Sequence, residues 1–145
     1  VISKTSSLIR TFRSGLEREI AAQISREGLP INYESFKIPF VQPEQNRTYT
    51  PDFLLPNGII IESKGKFEVK DRQKHLWVAS QYPDLDIRFV FTNPNQRISK
   101  NSKTTYGAWC RKYGFKYAKK LIPQAWLEEP VNQKSLKMCK ELKEK

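Results

Sequence analysis

Asp52 and the run Glu62-Ser63-Lys64 offer two carboxylates, a hydroxyl and an ammonium group over a short span, on either side of apolar Phe53-Leu54-Leu55 and Ile59-Ile60-Ile61. Oxygen donors of this kind suit magnesium or manganese, and a lysine beside them suits chemistry on a phosphate. Between the two apolar runs lies Pro56-Asn57-Gly58. It supplies a fixed φ and then residues that tolerate positive φ, so the segment reads as a hairpin. Asp52 and Glu62 are at comparable distances from the turn, and antiparallel pairing brings their carboxylates together across the ladder. Their repulsion then calls for a cation. Glu62 and Lys64 leave one face of their strand, while Ser63 points away and offers its backbone carbonyl.

A plainer reading also fits: Asp52 ends a loop, and Glu62 and Lys64 form an exposed ion pair of little energetic weight. Ile59-Ile60-Ile61 counts against it. That run has the character of a strand buried on both faces, which puts the charges at the rim of a core rather than in mid-surface.

Elements must surround this hairpin to position it. Ser14-Gly15-Leu16-Glu17 has the form of a capping box, and Leu16, Ile20 and Ile24 recur at helical spacing until Gly28. Ile31 to Phe40 reads as a strand whose apolar phase shifts between Tyr33 and Phe36, as a bulge or burial on both sides would produce. The polar stretch that follows is stiffened by Pro39, Pro43 and Pro51. After the hairpin come a helix over 71–81 with Leu76 and Trp77 toward the core, a strand over 86–91 and a basic loop over 93–104. A helix over 106–113 stopped by Gly114, a short strand over 115–117 and a short helix over 123–127 complete the pattern. The expected fold class is α/β, a mixed central sheet flanked by helices.

The chain has 145 residues, enough for one domain with a core, and 26 Lys and Arg against 15 acidic residues give a formal charge of +11. A polyanion is the expected partner, and with no amphipathic basic helix evident, nucleic acid is favoured over a lipid surface. Cys110 and Cys139 lack metal-ligand spacing and read as free thiols in a reducing compartment. No apolar run approaches a membrane span, and Val1 to Leu8 lacks the core of a signal peptide, so a soluble intracellular chain is expected.

Asp52, Glu62 and Lys64 resemble the PD-(D/E)xK nuclease signature. Together with 12–17, 49–58, 62–65, Asp71-Arg72, Lys74-His75-Leu76, 85–88, Tyr106-Gly107 and Leu121-Ile122-Pro123, they are similar to endonuclease I of T-odd phages, over roughly Phe12 to Pro130. Where the family has a strand glutamate this chain has Asn32, with Glu34 two positions on.

The resemblance implies a PD-(D/E)xK core, resolution of four-way (Holliday) DNA junctions, and a magnesium-dependent reaction leaving 5′-phosphates, with manganese able to substitute. It implies two ions per site: Asp52 bridging them, Glu62 and the Ser63 carbonyl completing one, and Glu17 helping to hold the other. On the sequence alone Glu17 reads as a helix cap. Lys64 would orient water or neutralise charge on the scissile phosphate.

Two cuts on opposing strands call for a homodimer. The resemblance suggests a domain swap across the bridge 41–51, so that Glu17, in segment 12–40 of one subunit, meets Asp52, Glu62 and Lys64 in the catalytic core 52–130 of the other; composition alone suggests a surface loop. The nuclease domain would then be 1–130 and 131–145 a basic tail. Candidate DNA contacts are Arg10, Arg13, Lys66, Lys70, Arg72 and Lys74, with His75 either at a phosphate or structural. The expected location is the cytoplasm of a bacterial host, from a phage or prophage gene. Two alternatives stay open: a nuclease of other branched or duplex DNA, and a non-catalytic DNA-architectural protein.

Overall fold

The computed structural model describes residues 12–42 and 45–145, so Arg10, and Pro43 of the expected bridge, lie outside the described residues. A four-stranded mixed sheet forms the centre. Strand β3 (Phe53–Leu54) runs antiparallel to β4 (Ile59–Lys64), and β5 (Asp86–Phe91) and β6 (Tyr117–Lys119) follow parallel to β4. Leu54 faces Ile60 and Phe53 faces Ile61, a register that continues to set Asp52 opposite Glu62.

Strand β4 is buried on both faces because helices cover each side. Ile60 joins one core with Phe89, Phe91, Phe67 and Trp109; Ile59 and Ile61 join a second with Val90, Ile20, Ile24 and Trp126. The second core packs under α1 (Gly15–Arg26). That helix starts with both halves of the expected capping box, Ser14 Oγ accepting from Glu17 N–H and the Glu17 carboxylate accepting from Ser14 N–H. The first core lies under α2 (Val69–Gln81) and α3 (Tyr106–Tyr113), whose Gly114 cap is left-handed at φ 81°. Leu76 and Trp77 are partly buried against this core, while Val78 and His75 go deeper.

Two expected segments take other forms. Only Ile38 onward of the stretch 31–40 is a ladder strand: Tyr33 makes a single bridge to Phe53, and Glu34 turns the chain at φ 45°, which produces the phase shift in the apolar pattern. The expected bridge, 41–51, largely belongs to an antiparallel pair in this chain, β1 (Ile38–Gln42) with β2 (Gln45–Tyr49). This pair rests on α2, where Phe40 stacks on Trp77 and the Gln81 amide both donates to Val41 O (2.7 Å) and accepts from Val41 N–H (2.6 Å).

The basic tail is ordered. Beyond α4 (Gln124–Leu127), residues Gln133–Lys143 form α5, which buries Ser135, Cys139 and Leu142 against the first core. Asn132 N–H donates to Asn57 O at 2.7 Å, and Ser135 Oγ donates to Gly58 O at 2.6 Å while accepting from Asp86 N–H at 3.0 Å. Gly58 sits at φ 91°, and a Cβ there would lie 2.8 Å from Asn132 O, so the turn must be glycine for conformation and for space. The short helix 124–127 formed as read; the short strand lies at 117–119 rather than 115–117.

Candidate active site

The acidic residues converge where the open ends of β3 and β4 meet α1 and the 31–34 segment. Their hydrogen bonds share a pattern. Glu62 Oε2 accepts from the Tyr49 hydroxyl and from Asp52 N–H (3.0 Å). Asp52 Oδ2 accepts from Ser63 N–H and Ser63 Oγ, both at 2.9 Å. Glu17 Oε1 accepts from Arg13 N–H (2.7 Å), Ser14 N–H (3.1 Å) and Tyr33 Oη (3.1 Å). In each carboxylate one oxygen is held by at least two donors, and among the described residues no donor reaches the other. This is a donor set pre-oriented for a hard divalent cation, one oxygen per residue.

Ser63 departs from the sequence reading: its hydroxyl turns toward Asp52 instead of away, and with its N–H fixes that carboxylate. Glu34 is the addition. One carboxylate oxygen from each of Glu17, Glu34 and Asp52 lies within 4.8 Å of the others, a grouping able to hold a metal ion. Glu34 reaches it because its positive φ redirects the chain and its N–H is anchored on Asp52 O at 2.9 Å. The signal in the sequence was the broken alternation around it. Asn32 instead uses its backbone carbonyl to accept from Leu54 N–H at 3.2 Å.

Electrostatically the cluster is unsatisfied by protein alone. Burial and then the neighbouring Glu62 charge push the Asp52 pKa up, to about 9, against the lowering effect of its Ser63 hydrogen bonds. Burial also raises Glu62, opposed by Lys64 and by the Tyr49 hydrogen bond. Lys64 Nζ lies 3.4 Å from Asp71 Oδ1, and Lys74 Nζ approaches the same oxygen at 3.9 Å. Asp71, one of the residues carrying the family resemblance but given no role, thus holds two lysines beside the carboxylates. Burial, then repulsion from Lys64, lowers the Lys74 pKa.

The candidate DNA contacts divide. Arg13, Lys66 and Lys70 are exposed, and Arg13 Nη2 pairs with Glu34 Oε1 at 3.1 Å. Lys74 is drawn into the site. Arg72 is a correction: it is buried, and its guanidinium donates to the Phe67 and Ile98 carbonyls, where it pins the basic loop to the core. His75 is also buried, edge-on to Tyr49 (4.9 Å) and Phe89 (4.8 Å), and neither ring nitrogen has a partner among the described residues. Burial, then Lys74 and Lys64, keeps it neutral, and it reaches no phosphate. A groove of about 520 Å³ between the β1–β2 pair and α2 is lined by Arg47, Lys70 and Lys74. Arg47 was not singled out in the sequence. Cys110 and Cys139 are free and buried, and burial pushes their thiols up to about 12 and 11, as inert core residues.

A mixed sheet whose rim carries open carboxylates beside a lysine, in a strongly basic chain, fits the nuclease class. Sequence comparison bears this out: the family model described as phage endonuclease I matches residues 1–145, and the chain belongs to that family. It is 50% identical over 125 residues to Endonuclease I of Escherichia phage T7, covering 86% of this chain and 84% of the relative. It is likewise 50% identical over 124 residues to Endodeoxyribonuclease 1 of Enterobacteria phage T3, covering 86% and 82%. No helix among the described residues is long and apolar enough to cross a membrane.

Proposed function

We propose that this chain is a structure-selective DNA endonuclease that resolves four-way junctions by paired hydrolytic cuts on opposing strands, leaving 5′-phosphates. The observation that carries the reading is the set of pre-oriented carboxylates, each with one open oxygen, beside Lys64 in a member of the endonuclease I family. Asp52, Glu62, Glu17 and Glu34 would hold magnesium or manganese, with the Ser63 carbonyl as a further donor. Two such ions, when bound, would supply an activated water and neutralise charge on the leaving oxygen. Lys64, held by Asp71, orients the attacking water or meets charge on the phosphate, and Lys74 adds positive potential at the same point. Arg13, Lys66, Lys70 and Arg47 line the approach for the DNA backbone and select shape rather than base sequence.

The test is cleavage of an immobile four-way junction against linear duplex of matched sequence, with magnesium and with EDTA. Symmetric cuts confined to the junction and dependent on metal are expected. Equal cutting of both DNAs would replace the reading with a general nuclease, and tight binding without cleavage would replace it with an architectural protein.

Paired cutting requires two sites, and we take the active form to be a homodimer. Opening the β1–β2 pair would let 12–42 of one subunit serve the core of the other, with the contacts seen within this chain. In that arrangement a mixture of exchanged Glu17→Ala and Glu62→Ala subunits regains nicking, because one of the two sites is restored. With verified exchange and no regained nicking, each site is built within one subunit.

A further inference from the structure

Tyr49 is the single buried residue of β2, whose other four positions are exposed. Such a strand gains little from burial, so what Tyr49 touches shows why it turns inward. Its partner in the ladder, Ile38, is buried beside the first core. The His75 ring packs edge-on to it, the Lys74 ammonium lies 5.2 Å over its face, and its hydroxyl ends on Glu62 Oε2. With Asp52 N–H on the same oxygen, the carboxylate cannot rotate without leaving a buried donor unpaired, and Oε1 is the atom left open.

We propose that Tyr49 is a positioning residue for the reaction: its hydroxyl fixes which oxygen of Glu62 is offered to a divalent cation, and so makes the β1–β2 pair a structural part of the catalytic rim. The inference rests on the metal-dependent reading of the site. Loss of the hydroxyl frees the carboxylate to swing, and groups that orient a ligand in this way change metal affinity about tenfold to a hundredfold when removed. The Tyr33 hydroxyl on Glu17 has the same form, but Glu17 Oε1 keeps two backbone donors without it, so its removal is the weaker test.

Calorimetric titration of the full chain with Mn²⁺ alone, without DNA, compares the parent with Tyr49→Phe. The variant keeps the ring and its packing on His75. A weakening of Mn²⁺ affinity of about tenfold or more is expected, together with a fall in kcat and an unchanged KM for junction DNA. Equal Mn²⁺ affinity in the two proteins overturns the proposal. A parent protein that binds no Mn²⁺ overturns the metal-dependent reading itself, and the two failures are therefore distinct. Should Tyr49→Phe not fold, 3-fluorotyrosine placed at position 49 keeps the donor. Its ¹⁹F resonance should then move on Mg²⁺ addition with the affinity found by calorimetry, and a resonance unmoved at saturation refutes the coupling.

Discussion

Asp52→Asn lowers junction cleavage by at least about a thousandfold, about 4 kcal/mol of transition-state stabilisation, and at the same time makes the metal-depleted protein more stable. The first effect follows from position. Asp52 faces Glu62 across the ladder, shares the metal-competent grouping with Glu17 and Glu34, and is held by Ser63 with one oxygen open. Asparagine keeps an acceptor for the Ser63 donors but removes the charge. The second effect follows from linkage. Burial and Glu62 raise the Asp52 pKa to about 9, so the folded state retains a proton that the unfolded chain releases near 4. The stability this provides is complete below about 4 and is lost as pH rises through about 9. In EDTA, urea unfolding of the parent should therefore show stability falling between pH 5 and pH 8, and Asp52→Asn should flatten that slope. A variant that cleaves within tenfold of the parent would show that Asp52 is not essential, and an unchanged pH slope would show that its charge is not repelled. Junction binding in EDTA should stay close to that of the parent, since none of the exposed basic residues is touched.

Arg88→Ala unfolds the protein more readily by about 3 kcal/mol, a drop of about 6–12 °C in Tm, without touching the acidic cluster. Arg88 lies in β5 with 3% of its side chain exposed. Its Nε and Nη2 donate to the two oxygens of Asp86 at 2.9 and 2.8 Å, Nη2 also reaches Glu129 Oε1 at 2.9 Å, and its guanidinium stacks 5.2 Å from the Trp126 ring centre. Burial opposes the charge, but the hydrogen bonds to Glu129 and Asp86 outweigh it and hold the guanidinium firmly protonated. Removing Arg88 strands a cavity beside Trp126 and two carboxylates. Because Asp86 and Glu129 are partly exposed, water recovers some of their solvation, which sets the effect at the lower end of the range for buried pairs. Thermal and urea unfolding measure it; a loss under about 1 kcal/mol would mean the triad is solvated in solution.

The hairpin was legible because turn chemistry and a doubly buried strand are local signals, and the placing of Asp52 opposite Glu62, with Lys64 two positions on, follows from register alone. Helix α1, with its capping box, was equally local. Glu34 was legible only as a break in the apolar alternation: its place in the cluster depends on a positive φ at a non-glycine residue and on an anchor to Asp52 O, both consequences of tertiary packing. Arg72 was misread because a basic residue on a helix looks the same whether it meets solvent or two carbonyls of its own chain. Helix α5 was concealed by its lysines: Ser135, Cys139 and Leu142 are buried and Met138 partly so, a stripe too sparse to stand out against the charge around it. The β1–β2 pair was hidden by its prolines, one of which, Pro39, lies exposed within a strand of a two-stranded ladder, where both strands are edges.

The lock on the Gly58 turn has a consequence for how the chain is made. The turn that sets Asp52 against Glu62 is closed by Ser135, 77 positions further along. During synthesis, at about 5–20 residues per second, the two strands joined by this turn emerge several seconds before the residue that clasps them. For that interval a nascent chain carries every acidic group of the site, yet lacks the clasp on the turn that sets Asp52 against Glu62. Closure of the turn thereby waits until the chain has been made as far as Ser135, and the two carboxylates gain their clasp only from that point on.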